Sequence, residues 1–259
     1  MVGASENHRL VQDSMKSLIA ILSCSHHTVH GYNQTLRSTW LKDVKGVAGL
    51  EYRFFLGNGA PVIEDTTLLD LSWSNEAPGY TQRKFNDPDI TGYTPKDDEV
   101  LMHASDKYEH MSYKLREALR WSSGNMFDYT FVCLTDTYVV PARLMSSGFE
   151  EHDYCGTANG ERTALGGGPG IWLSYKAAEK ATAATVTDWA YDRWLGVVML
   201  SAGIKLQHDP RYTSLDLGDE PPLHTNDTIT SHISNCDRST YTMETMFDLH
   251  CQYKGMSNV

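Results

Sequence analysis

The stretch richest in chemical possibility is Tyr129-Thr-Phe-Val-Cys-Leu-Thr-Asp-Thr-Tyr-Val-Val140. An apolar run stops at a single acid, Asp136, and resumes after it. That pattern places a carboxylate at the end of a strand, where the ligands of α/β sheets bind. The plain alternative is a turn aspartate bonded to its own loop. Two further acids, Asp188 and Asp192, stand ahead of an apolar helical pattern, where helix N-termini favour negative charge. His26, His27 and His30 include a pair four residues apart, a spacing that shares a helix face and could hold a metal. No carboxylate or cysteine accompanies them, so they equally suit a loop over a ligand or a solvated turn. Gly166-Gly-Gly-Pro-Gly170 lacks the lysine and spacing of a phosphate loop. Glycines there favour close approach of backbone to a substrate.

These groups need a scaffold. Ser17-Leu-Ile-Ala-Ile-Leu-Ser-Cys24 is continuously apolar, the mark of a central parallel strand covered on both faces. A loop with the histidines follows, then a helix over 32–41 carrying Leu36, Trp40 and Leu41. Residues 51–57 form a second strand, ended by the turn signals of Gly57-Asn-Gly59. The segment 61–97 reads as polar loops that include a flap. Residues 99–104 are a short strand, and Asp106 is the N-cap of a helix running to Trp121. Met111, Leu115, Ala118 and Leu119 make the apolar face of that helix, with Lys114, Arg116, Glu117 and Arg120 opposite. A strand at 129–134 completes a β-α-β-loop-β-α-β order, which implies a parallel sheet with right-handed crossovers.

In the second half, 141–145 is a helix or turn and Tyr154-Cys-Gly156 an edge strand. The glycine turn runs into a strand ending at Ser174, then a helix over 175–183. A helix opens at Thr187, with Asp188 in its cap or first turn. Residues 205–229 read as polar loop, 229–232 as a short strand and the stretch from Ser239 as a closing helix.

Length, composition and charge set the limits. The chain of 259 residues is 41% apolar and 21% charged, the profile of a globular α/β domain. Its formal charge of −11 argues against broad attraction to nucleic acid or an anionic membrane. An anionic ligand would need a cation of its own. The start, Met1 to His8, lacks a basic and apolar leader, so the sequence reads as a soluble protein of cytoplasmic, microbial or viral setting. The five cysteines are odd in number and widely spaced, which favours free thiols over a disulfide framework.

In order and spacing, the pieces over residues 17–253 resemble the inverting GT-A β-1,3-glycosyltransferases, the family of core 1 β-1,3-galactosyltransferase and the Fringe enzymes, glycosyltransferase family 31. Leu36-Arg-Ser-Thr-Trp40 is similar to an Arg-x-Thr-Trp helix. Asp106-Lys-Tyr108 with Lys114 is similar to an Asp-x-Tyr segment and its downstream lysine. Leu134-Thr-Asp-Thr-Tyr-Val139 resembles a metal-binding Asp-Asp-Asp-Thr-Tyr-Val strand end, and Gly167-Gly-Pro-Gly-Ile-Trp-Leu-Ser174 a Gly-Gly-(Ala/Pro)-Gly-Tyr-x-Leu-Ser acceptor motif. Tyr191-Asp-Arg-Trp-Leu-Gly196 falls where the family has Glu-Asp-x-x-x-Gly, and Ile229-Thr-Ser-His232 resembles its late histidine strand.

The resemblance implies a single GT-A catalytic domain over 1–259, a mostly parallel twisted Rossmann-like sheet flanked by helices. Its donor half would be about 1–140 and its acceptor half about 141–259. It implies Asp192 as general base, donor contacts from Arg37, Asp106, Lys114, Thr135 and Asp136, and acceptor contacts from Gly167, Gly168, Pro169 and Trp172. It also implies Mn²⁺ or Mg²⁺ held by Asp136 and His232. The partners would be a nucleotide sugar, a UDP-sugar by family habit, and a glycan or other hydroxyl acceptor, with no membrane. Leu134 and Thr135 stand where the family carries acids, which leaves the first acid's role vacant and keeps a non-catalytic binding homologue open. A transferase acting on modified DNA bases is a further alternative; the basic residues near the glycine turn are Arg143 and Arg162.

Overall fold

The computed structural model describes residues 15–58, 93–158, 164–215, 227–233 and 239–256. Ten strands and eight α-helices are assigned among them. The main sheet has seven strands in the order β3-β2-β1-β4-β7-β6-β8. They are β1 (Ser17–Leu22), β2 (Leu50–Gly57), β3 (Glu99–Met102), β4 (Tyr129–Leu134), β6 (Tyr154–Gly156), β7 (Ile171–Ser174) and β8 (Gln207–His208). The first four are mutually parallel, as the β-α-β order predicts. β7 then runs antiparallel to both β4 and β6, and β8 is parallel to β6. The β4–β7 pairing joins strands from both sides of residue 140 into one sheet.

β1 shows why the central run is apolar throughout. Side chains alternate faces along a strand, and both faces here are covered. Ile19 and Ile21 pack with Leu36 from α2 (Tyr32–Ser38), with Trp40 just beyond it, and with Met246 and Leu249 from α8 (Ser239–Met256). Leu18, Ala20 and Leu22 pack with Leu115 and Leu119 from α4 (Met111–Gly124), Ala177 and Ala181 from α6 (Tyr175–Ala183), and Trp194 and Met199 from α7 (Tyr191–Ser201). The remaining helices are α1 (Ser25–Val29), α3 (Leu41–Val44) and α5 (Pro141–Met145). A second, three-stranded sheet has the order β5-β10-β9, from β5 (Thr137–Val139), β9 (Tyr212–Leu215) and β10 (Thr230–Ile233).

Several expectations are corrected. Tyr154–Gly156 lies between β7 and β8 and is not an edge. The polar stretch after Lys205 contains β8 and β9, which are held by pairing with β6 and β10 rather than by an apolar pattern of their own. The helix over 32–41 breaks at Thr39, whose φ of −116° and ψ of −118° are not helical. The histidine segment is a short helix, α1. Lys114 and Arg116, expected on a solvent face, are buried. The expected flap at 61–97 lies largely outside the described residues, as do Cys236 and Arg162. Cys133, Cys155 and Cys251 are free thiols.

The glycine turn is shaped by what it packs against. Gly170 has φ of +99°, and a Cβ there would lie 2.1 Å from the Phe131 ring. Gly170→Ala combines a left-handed backbone, costing about 1–2 kcal/mol, with overpacking of about 1–3 kcal/mol. The expected result in denaturant unfolding is a loss of about 2–5 kcal/mol; an unchanged midpoint would contradict this packing.

Candidate active site at the carboxyl ends of β1, β2 and β4

Residue pairing brings three strand ends level: Leu22 sits beside Phe55 on one side and Leu134 on the other. The residues that follow build the site. The Asp106 carboxylate accepts hydrogen bonds from the Ser25 amide (2.8 Å) and the Gly57 amide (2.6 Å). It also pairs with Lys114 Nζ at 2.6 Å. Lys114 donates in turn to the Ser23 carbonyl at 2.6 Å. Asp106 therefore does not cap α4; it ties the ends of β1 and β2 together, and Lys114 serves as its buried counter-ion.

Thr135 and Asp136 form the turn between β4 and β5. Thr135 Oγ1 is 2.8 Å from His27 Nδ1. Burial pushes the His27 imidazole down to about 4, against a smaller upward pull from Asp136, so the ring is neutral at physiological pH. His27 is thus part of the site, whereas the neighbouring His30 is exposed and lies against His26 in a tilted pair, 4.1 Å between ring centroids.

Asp136 is buried, and its Oδ2 lies 3.5 Å from His232 Nε2. The second sheet creates that meeting. β10 runs antiparallel to β5 with His232 opposite Thr137, and the Ile233 amide donates to the Asp136 carbonyl at 2.8 Å. Among the described residues no group of three or more His, Cys, Asp or Glu side chains is arranged to hold a metal ion. The protein's own contribution to a cation would be this oxygen and nitrogen pair.

The glycine turn lies over the pair. A Cβ on Gly168 would fall 2.4 Å from the His232 ring. Thr137 Oγ1 donates to the Gly168 carbonyl at 2.8 Å, and Thr230 Oγ1 donates to the Pro169 carbonyl at 2.7 Å. One residue earlier, a Cβ on Gly167 would fall 2.5 Å from the Tyr191 hydroxyl. The Gly167 amide points at Asp192 Oδ2 at 3.3 Å. Close approach is indeed what these glycines allow, and the groups that approach are the protein's own site side chains.

Asp192 lies in the first turn of α7, which begins at Tyr191 and not at Thr187. Its Oδ1 accepts from the Arg193 amide at 2.8 Å. Asp188 sits outside the helix, accepting from the Ala190 amide and gripping Arg193 at 2.8 Å.

Three expected participants are placed differently. Arg37 bonds Asp98 and Glu99, each at 2.7 Å, beside β3. Lys114 is committed to Asp106 and Ser23. Trp172 is fully buried and stacks on Phe149 at 3.7 Å and 5°, so its ring belongs to the core and offers no surface to an acceptor. Thr137 and Tyr191 are site residues that sequence reasoning missed, Tyr191 standing where the resembled motif has glutamate, while His27 was marked only as one of three histidines over a ligand.

No family model matches the sequence, and no curated protein matches it. Among solved structures, the chain is similar to a crystal structure of a glycosyltransferase involved in the glycosylation of the major capsid of PBCV-1, at 12% identity and a TM-score of 0.48, covering 89% of this chain and 99% of that one. Among the described residues no helix is long and apolar enough to cross a membrane.

Proposed function

We propose that this chain is an inverting GT-A glycosyltransferase of the β-1,3 type, moving a hexose from a nucleoside diphosphate sugar, a UDP-sugar foremost, to a hydroxyl of a glycan. One observation carries the reading. The adjacent residues Gly167 and Gly168 touch, respectively, the Asp192 carboxylate and the His232 ring that meets Asp136. Neighbouring Cα atoms are about 3.8 Å apart, so a base and an anion-handling pair are held across a single short span at the end of the sheet.

Asp136 and His232 fit a divalent cation in kind: an acid oxygen and an imidazole nitrogen, both acceptable to Mn²⁺, 3.5 Å apart. Diphosphate and water oxygens would complete its shell. Arg37 and Lys114 are each bonded to carboxylates, so compensation of the diphosphate falls to that cation. When bound, it would supply positive charge where the leaving group becomes anionic.

The chain's residues do the rest. The Asp192 carboxylate takes the proton of the acceptor hydroxyl. The acceptor oxygen bonds to the anomeric carbon as the bond to the diphosphate oxygen breaks, and the electron pair leaves with the diphosphate. Attack opposite the leaving group inverts the centre. The Gly167 amide and the start of α7 hold Asp192 in place for this step.

A second reading, a binding protein without turnover, is favoured by Leu134 and by Thr135, whose hydroxyl is already engaged by His27. Proton NMR of the sugar transferred or released from α-linked UDP-, GDP-, CDP- and dTDP-hexoses separates the two. A β product at first turnover is expected. An α product would contradict inversion, and cleavage of none despite donor binding would select the non-catalytic reading.

A further inference from the structure

Tyr108 opens a single 3₁₀ turn, Tyr108–His110, just after Asp106, the carboxylate that ties the ends of β1 and β2 together. It is 43% exposed, so a ligand can reach it from solvent. An exposed aromatic residue standing singly needs no explanation, but this one has a built support. Its ring centroid lies 5.3 Å from that of Trp189, with the two planes tilted by 49°. Trp189 is partly buried, and its carbonyl accepts from Ser112 Oγ, in the first turn of α4, at 2.9 Å. The Arg193 guanidinium carbon lies 5.6 Å from the centre of the Trp189 ring, and Asp188 grips that guanidinium at 2.8 Å. The tryptophan is fixed by the fold, and Tyr108 rests against it with surface left over.

This aromatic surface adjoins the candidate base. Trp189 precedes Asp192 by three residues, so their Cα atoms are at most about 11 Å apart. The same Arg193 that packs on the tryptophan donates its amide to Asp192 Oδ1 at 2.8 Å, and Asp192 is only partly buried. Binding sites combine aromatic walls with a few placed polar groups, and here the polar groups are the carboxylates Asp188 and Asp192, which accept from hydroxyls. A pyranose offers both counterparts at once, an apolar C–H face and a rim of hydroxyls. The two carboxylates oppose a polyanion, and the Arg193 charge is matched by Asp188. We propose that Tyr108, backed by Trp189, is the platform of the acceptor subsite: the acceptor's reacting unit is a pyranose laid with its C–H face on the Tyr108 ring and a hydroxyl toward Asp192. The inference rests on the proposed function and narrows its acceptor to a sugar.

The test is saturation-transfer NMR on the full chain with UDP and Mn²⁺, irradiating the protein's aromatic protons. The probes are methyl β-glucopyranoside, methyl β-galactopyranoside, methyl α-mannopyranoside and thymidine, and nucleotide affinity is measured by calorimetry on the same samples. In the wild type at least one glycoside is expected to receive saturation mainly on the protons of one ring face. Its affinity falls about tenfold in Tyr108→Ala, the worth of one aromatic contact, and stays within twofold in Tyr108→Phe, which keeps the ring. Tyr108→Leu keeps apolar bulk against Trp189 and stands in for the alanine variant if circular dichroism shows that variant unfolded. UDP affinity stays within twofold throughout. No glycoside bound by the wild type, equal affinity without the ring, or an equal loss in Tyr108→Phe would each overturn the platform. Saturation of thymidine alone would overturn it in favour of a base as acceptor. Normal UDP binding in those cases leaves the proposed function standing; failure of the wild type to bind UDP, GDP, CDP or dTDP removes that function, and the acceptor subsite with it.

Discussion

Asp192→Asn is expected to lower sugar transfer by about 10²–10⁴-fold, the usual contribution of a positioned base, while sugar-nucleotide binding stays within about twofold. The substitution is nearly isosteric. The amide oxygen can still accept from the Arg193 amide at the start of α7, and only the longer contact from the Gly167 amide, which bonds the other carboxylate oxygen, is given up. What disappears is a group able to take a proton. Steady-state transfer read together with calorimetric donor affinity checks the result. Transfer at the wild-type rate would remove Asp192 from the mechanism, and a parallel loss of donor binding would recast it as a binding group.

Asp136→Ala is expected to cost on the order of 100-fold or more in Mn²⁺ affinity, given that even residues outside a metal's direct ligands are worth 10–100-fold. Asp136 is the anionic half of the protein's donor pair, and His232 alone leaves one neutral nitrogen for the ion. The carboxylate side chain is buried beside that histidine, so an alanine also leaves the His232 ring without its neighbour. Electron paramagnetic resonance of Mn²⁺ titrated with protein and UDP measures free and bound ion directly. Equal Mn²⁺ binding by wild type and variant would show that the pair is a structural contact. Circular dichroism on the same samples separates loss of the ligand from loss of the fold.

The parts of this arrangement that were legible in the sequence are those fixed by local pattern. β1 and β4 are mostly apolar because both faces of the sheet are covered, and Asp136 stands out because it interrupts such a run. The glycine turn was visible for the same reason: no other residue type fits where a Cβ would enter the rings of Phe131, His232 or Tyr191. What failed was anything decided by a partner distant in sequence. Asp106 has the look of an N-cap, since a capping aspartate and a buried aspartate both bind backbone amides; the amides here belong to Ser25 and Gly57. Lys114 fell on the polar side of a helical wheel, yet its charge is matched inside the protein by Asp106. The resemblance implies a donor contact for Arg37, and nothing local reveals its partners Asp98 and Glu99, about sixty residues away. His27 could not be told from His26 or His30 without the turn at Thr135 that it meets. β8 and β9 are two and four residues long and owe their extension to neighbours, so no periodicity announced them.

The proposed function rests most heavily on a nucleoside diphosphate being held through a divalent cation at Asp136 and His232. Calorimetric titration of the full chain with UDP, in Mn²⁺ and again in excess chelator, tests that claim most directly, with GDP, CDP and dTDP run alongside. Saturable binding of one nucleotide in Mn²⁺, lost with chelator, is the expected result and names the donor class. Binding of equal strength in chelator, or none for any of the four, would contradict it.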